Sequence, residues 1–189
     1  MDRKKKIIVA VVAVTAALIV LFLMVALLDL MSYTATGSET LEPEGTPVGK
    51  ALVVYSPGLS GQAEGAAKEM AEALQSQGYL VELAGVRSGA ASNISGYDVL
   101  IVGGPMYGGK VSSSIDRYLA DMEWHEGLRL GVFSTTGGSE YDDSALDSLS
   151  DQVSSLTKDA PPHPDPVVRL ILTVNVEKDC GLMVEELLA

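Results

Sequence analysis

The chain has 189 residues, a net charge of −12 and 47% hydrophobic residues. The acidity excludes a nucleic-acid binder, which needs a basic face, and the hydrophobic content excludes a mainly disordered chain. One cysteine, Cys180, excludes an intramolecular disulfide framework and a Cys-based zinc site, and His125 and His163 are too few for a His-rich metal site.

A mean hydropathy of +0.25 in so acidic a chain points to two unlike parts. Residues 1–6 form a basic N-terminal tail carrying Arg3-Lys4-Lys5-Lys6. Residues 7–28 hold Thr15 as their one polar residue. As a helix they span about 33 Å at ~1.5 Å per residue, against a hydrocarbon core of about 30 Å, and so read as a transmembrane helix. The other reading is a cleaved signal peptide, whose apolar region is about 7–15 residues long and precedes a small-residue cleavage site. Asp29-Leu30-Met31-Ser32-Tyr33 offers no A-x-A pattern, which favours an uncleaved, single-pass anchor in the cell membrane. Basic residues precede the run and none follow it until Lys50. The positive-inside rule therefore places the N-terminus in the cytoplasm and the rest outside. Residues 29–49, rich in Thr, Ser, Gly, Pro and Glu, read as a flexible linker.

The remainder, 50–189, is a domain large enough to bury a core. It keeps nine of the basic and twenty of the acidic residues, a net charge of −11. Ala51–Tyr55 is a short apolar run, as in a strand buried on both faces. Ser56-Pro57-Gly58-Leu59-Ser60-Gly61 is a loop. Ala63, Ala66, Ala67, Met70, Ala71 and Leu74 then recur at helical spacing up to Gly78. Tyr79–Leu83 reads as a second strand. Residues 85–97 have little helical pattern and predict a turn of helix or a loop.

Asp98–Val102 reads as a third strand, followed by a loop over residues 103–109. A helix bearing Val111, Ile115, Tyr118, Leu119 and Met122 comes next. Leu128–Phe133 is a fourth strand, ending at Ser134-Thr135-Thr136-Gly137-Gly138. Ala145, Leu149, Val153 and Leu156 mark another helix, and Val167–Val174 a fifth strand. A short last helix carries Leu182, Met183 and Leu187, with Asp179 as candidate cap. This alternation predicts an α/β fold, a parallel sheet covered on both faces through right-handed crossovers.

In open α/β sheets, ligands bind outside the carboxyl ends of the strands. The loops after the first, third and fourth strands are all rich in Gly and Ser/Thr, and three such loops at one edge predict a single pocket. The first enters a helix N-terminus, where unpaired amides and the helix dipole favour an anion. Ser56 and Ser60 add hydroxyls, and Gly58 and Gly61 permit close approach. No G-x-x-x-x-G-K-[ST] and no G-x-G-x-x-G is present, which argues against nucleoside triphosphates and dinucleotides. A phosphomonoester fits such a loop; an ordinary tight turn is the bland alternative.

Three segments carry a resemblance. They are Val53–Ser56 leading into the first loop, Ile101–Lys110 with its G-x-P-x-Y-G-G arrangement, and Gly131–Gly138. Residues 50–189 resemble the flavodoxin family. The resemblance implies a five-stranded doubly wound sheet of order 2-1-3-4-5, an FMN cofactor, and electron transfer. It implies phosphate binding by Ser56, Gly58, Ser60, Gly61 and Gln62. Pro105, Met106, Tyr107, Gly108 and Gly109 would lie against the isoalloxazine ring, with Ser134, Thr135, Thr136, Gly137 and Gly138 as the other wall. Tyr107 would stack on the ring and Tyr141 would supply the second face, the alternatives being a packing residue and a surface tyrosine. A peptide at Gly108-Gly109 would reorient with the flavin's redox state. The chain departs from the family's S/T-x-T-G-N-T loop: Ser60-Gly61-Gln62-Ala63 stands in place of T-G-N-T, and a hydroxyl is lost at Ala63.

No catalytic acid or base and no metal site is evident. The implied partner is a redox protein or a membrane quinone. The alternatives are an FMN-dependent oxidoreductase of quinone or protoporphyrinogen type, and a flavin-free interaction module, since fold alone does not establish function. Asp142-Asp143 and Glu185-Glu186 read as exposed charges, and Cys180 as a structural cysteine.

Overall fold

The computed structural model describes residues 3–32, 34–138, 140–157 and 166–189. Met1 and Asp2 of the basic tail, Tyr33 in the linker segment, and His163 lie outside the described residues. Helix α1 (Arg3–Ser32) contains the whole apolar run. Its large apolar side chains from Ile7 to Met24 are exposed, so nothing among the described residues buries them. The segment Arg3–Met24 is long and apolar enough to cross a membrane.

In chain order the remaining elements are β1 (Ser38–Leu41), β2 (Gly49–Tyr55), α2 (Gln62–Ser76), β3 (Tyr79–Gly85), β4 (Val99–Tyr107), β5 (Lys110–Val111), α3 (Ser113–Ala120), β6 (Arg129–Thr136), α4 (Asp143–Thr157), β7 (Val167–Leu172) and α5 (Val176–Leu188). The strands lie in the order β1-β3-β2-β4-β6-β7, with β5 paired to the end of β4. β3, β2, β4, β6 and β7 are mutually parallel, and β1 closes one edge antiparallel to β3.

The apolar runs are strands because both faces are covered. Ala51 and Val53 point into one core with Met70 and Leu74 of α2 and Met183 and Val184 of α5. Leu52 and Val54 point into a second core with Ile115 and Leu119 of α3 and Leu149 and Val153 of α4. At β4, Ile101 belongs to the first core and Leu100 and Val102 to the second. That alternation within a continuous apolar run is what a buried parallel strand requires.

Three expectations need correction. Residues 29–49 are not all flexible linker. Ser38–Leu41 is β1, in register from Ser38 opposite Ala84 to Leu41 opposite Val81. Just before it Ala35 is buried, and its carbonyl accepts from Arg87 N–H at 2.9 Å. The composition is that of a linker, but the open edge of β3 offers backbone partners to any extended segment. The strands after the second also run on: β4 continues through Gly103-Gly104-Pro105-Met106 to Tyr107, and β6 through Ser134-Thr135-Thr136. Gly103 N–H and C=O sit in a ladder between β2 and β6, and that pairing overrides the loop-like composition. Finally, α5 starts at Val176, with Asn175 at the N-cap position and no side-chain capping bond from it. Asp179 N–H bonds the Asn175 carbonyl at 3.1 Å and so lies inside the first turn. Residues 85–97 form one short 3₁₀ turn, Ala90–Ser92, as their weak pattern predicts.

Candidate functional site

The parallel strands bring the three Gly- and hydroxyl-rich segments to one edge, the carboxyl end of the sheet. Ser56 follows β2 there, its N–H bonded to Gly103 C=O at 2.9 Å and its buried hydroxyl accepting from Ser114 Oγ at 3.1 Å. The loop then turns through Gly58 (φ 64°) and enters α2 at Gly61 (φ 71°), the N-cap. A glycine cap has no side chain to satisfy the first-turn amides. Gln62 N–H reaches Ser60 Oγ at 3.4 Å, and Leu59 N–H donates to Tyr107 Oη at 3.2 Å. Among the described residues, the amides of Gly58, Ser60, Gly61, Ala63 and Glu64 make no hydrogen bond. A cavity of about 380 Å³ opens over this loop, lined also by Thr34, Ala35, Tyr55 and Glu64.

Five open amides at the positive end of a helix are a donor set for a phosphate. Gln62 contributes no lining surface to this cavity. One group is set against an anion: Glu64 in the first turn of α2, whose carboxylate accepts from Tyr55 Oη at 3.4 Å. Burial, followed by the Glu64 charge, holds the Tyr55 phenol above its ordinary value, so Tyr55 stays a neutral donor.

Across the edge, β4 and β5 form a two-residue hairpin in which Tyr107 opposes Lys110. Gly108 and Gly109 have φ of 58° and 75°, the positive pair a type I′ turn demands. Here α4 grips the hairpin. Gly109 C=O accepts from Ser148 Oγ at 3.1 Å and from Gln152 Nε2 at 2.9 Å, while Gln152 Oε1 accepts from Val111 N–H at 3.1 Å. The peptide joining Gly109 to Lys110 is therefore fixed. The central peptide, between Gly108 and Gly109, has no partner among the described residues.

The hairpin and the first loop touch. A Cβ on Gly58 would stand 2.7 Å from Pro105 Cγ and 3.0 Å from Tyr107 Oη. Tyr107 thus bridges the two segments with its ring partly exposed. Met106 is half-buried against the second core. The third segment is divided. Ser134 and Thr135 are buried in the sheet, and Ser134 Oγ has no partner. Thr136 is half-buried, Gly137 and Gly138 are exposed, and Tyr141 stands exposed beyond them. The three segments share an edge, but the 380 Å³ cavity is lined by the first of them and not by the other two. A second hollow of about 960 Å³ lies between the hairpin, α3 and α4. A third, of about 660 Å³, lies where 86–95 faces α3.

Sequence reasoning missed Ser148, Gln152, Glu64, Thr34 and Ala35. Ser148 and Gln152 stand one turn apart on α4, the only trace they leave in sequence.

Comparison with solved structures matches this architecture. The domain superposes on oxidised flavodoxin 2 from Bacillus cereus (17% identity, 74% of this chain, 97% of that one, TM-score 0.52) and on the flavodoxin of Streptococcus pneumoniae TIGR4 (23%, 74%, 97%, 0.50). It also superposes on an NADH:FMN oxidoreductase in apo form (14%, 74%, 88%, 0.55). The fold is flavodoxin-like. No family model matches the sequence, and no curated protein matches it.

Proposed function

We propose that the flavodoxin-like domain binds FMN and transfers electrons, and that α1 anchors it in a membrane. The observation that carries this reading is the set of open amides from Gly58 to Glu64 at the uncapped start of α2, on the same edge as Tyr107 and the Gly108-Gly109 turn. The loop amides with the Ser60 hydroxyl hold the phosphate, and the buried Ser56 hydroxyl, bonded to Ser114, supports the start of the loop. Tyr107 and Tyr141 exclude water from the faces of the ring. Gln152 and Ser148 hold the hairpin in place while the Gly108–Gly109 peptide remains free to turn its carbonyl or its N–H toward the ligand. When bound, FMN supplies one- and two-electron redox chemistry, and the protein supplies position and electrostatics.

The test is titration of FMN into the full chain in detergent, followed by visible absorbance and flavin fluorescence. Saturable quenching with flavin bands retained after desalting supports the reading, and no binding at micromolar FMN overturns it. One observation favours a second reading, a flavin-free interaction module: the Glu64 carboxylate lines the phosphate cavity. Under that reading Glu64→Gln gains no affinity for FMN. Under the first it gains several-fold, as removal of one unfavourable charge near an anion predicts.

A further inference from the structure

We propose that the carboxyl edge of the sheet, with the candidate site on it, docks onto the headgroup layer of the bilayer that holds α1. The proposal rests on reading α1 as a membrane span, and it goes beyond that reading by fixing which end of the domain faces the lipid.

The first observation is the tether. Helix α1 ends at Ser32, and Ala35 is already buried in the domain. Three residues reach at most about 11 Å even when fully extended. The four helical residues after Leu28, through Ser32, add about 6 Å. Ala35 is therefore held within about 17 Å of the hydrocarbon, whereas each headgroup layer is itself roughly 5–8 Å thick. Ala35 belongs to the carboxyl edge: its carbonyl accepts from Arg87 N–H, two residues beyond the end of β3. It also lines the phosphate-loop cavity with Thr34. The opposite edge of the sheet stands a further ~20 Å away along the seven residues of β2.

The second observation is independent of the tether. Outside α1, six large apolar side chains are left exposed among the described residues: Leu59, Tyr107, Tyr141 and Val174, together with Val48 on the opposite edge and Leu182 on α5. The first four stand at the carboxyl edge: Leu59, Tyr141 and Val174 in the connections after β2, β6 and β7, and Tyr107 as the last residue of β4. Val174 is 63% exposed and Leu59 47%. Aliphatic and tyrosine side chains at the tips of loops suit a water–lipid interface, where one end is apolar and the other wet. Tyr107 and Tyr141 have a second use in a flavin site, and Leu59 lines the phosphate-loop cavity, but Val174 has none. Because the tether makes docking intramolecular, a modest apolar contact is enough to hold the edge down. The site then opens toward the interface, where lipid-soluble molecules are found.

The experiment uses the full chain in phosphatidylcholine vesicles containing a lipid with a nitroxide on its headgroup. A fluorophore is placed at Val174→Cys, or at Val48→Cys on the opposite edge, and a chain with only the buried Cys180 reports background labelling. Strong quenching at 174 with little at 48 is expected, since nitroxide quenching acts over roughly a nanometre and the two edges differ by ~20 Å. Equal quenching, or more at 48, overturns the proposal. Insertion of about ten Gly/Ser residues after Ser32 should lower the quenching at 174 several-fold; unchanged quenching overturns the tether's role. Flotation of the same vesicles keeps the premise separate. A chain that fails to float refutes the membrane span, whereas a chain that floats with 174 unquenched refutes the docking.

Discussion

The first loop and the β4–β5 hairpin face each other across the site and are held in opposite ways. The loop at 57–61 leaves its amides open, enters α2 through an uncapped glycine, and takes its one side-chain acceptor for Leu59 from Tyr107 across the site. The hairpin is gripped by two side chains of α4 on its Gly109 carbonyl and by Gln152 again at Val111. One side is thus built by the protein's own hydrogen bonds, and the other has donors to spare. Open donors at a helix start are tolerable only where water or an anion reaches them, and this loop is open to its cavity. The difference teaches that the hairpin is anchored at Gly109 and Val111 by the protein itself, whereas the loop keeps donors that the proposed ligand would satisfy.

The sharpest way to break this contrast is Gly58→Ala. The added Cβ must accept φ 64° and meet Pro105 Cγ at 2.7 Å. Left-handed strain and overpacking together predict a loss of about 3 kcal/mol, read by urea unfolding, with FMN binding abolished. If stability falls by less than ~1 kcal/mol, the loop is not packed on the hairpin. Next is Gln152→Ala, which strips the acceptor from Val111 N–H and one donor from Gly109 C=O. A loss of about 2 kcal/mol follows, with faster amide exchange at Val111 and little change at the first loop. Equal change in both segments would mean that they move as one body.

Tyr107→Phe removes only the oxygen that Leu59 N–H bonds at 3.2 Å. About 1 kcal/mol or less is expected, together with a freed loop amide and FMN affinity changed less than tenfold. The smallest effect at neutral pH concerns the base of the loop. Cys180 donates through Sγ to the Ala66 carbonyl of α2 at 3.4 Å, and burial pushes its thiol up to about 12. The folded state keeps the proton that an unfolded thiol loses near pH 9. Cys180 therefore contributes full stability below that value and progressively less as pH rises toward 12. Thiol reagents at pH 8 should leave Cys180 unmodified in the folded chain and modify it in urea. Labelling of the folded chain would mean that α2 opens along with its loop.

Much of the fold was written in local pattern. The apolar runs at 51–55, 98–102 and 128–133 became buried strands, since each run is matched by helices whose apolar faces repeat at helical spacing. The first loop and the Gly-Gly turn were legible because glycine marks positive φ, and Gly58, Gly61, Gly108 and Gly109 all adopt it. What was not legible came from pairing at a distance. Nothing in Ser38-Glu39-Thr40-Leu41 announces a strand until the open edge of β3 lies beside it. Nothing in Gln152 announces a clamp until α4 is laid along the hairpin. Ser134 looked like a wall of the site and lies inside the sheet, because β6 continues three residues past its apolar run.

The sequence by itself determined the division between an apolar N-terminal helix and an acidic α/β domain, since hydropathy and periodicity are local properties of the chain. It also determined which loops are rich enough in glycine and hydroxyls to form a site. The tertiary structure decided that these loops meet at one edge, which of their amides stay open, and that the chain leaving α1 is pinned beside them at Ala35. Those outcomes depend on strand order and on hydrogen bonds between residues some fifty apart, such as Ala35 with Arg87 and Leu59 with Tyr107, and spacing along the chain does not encode them.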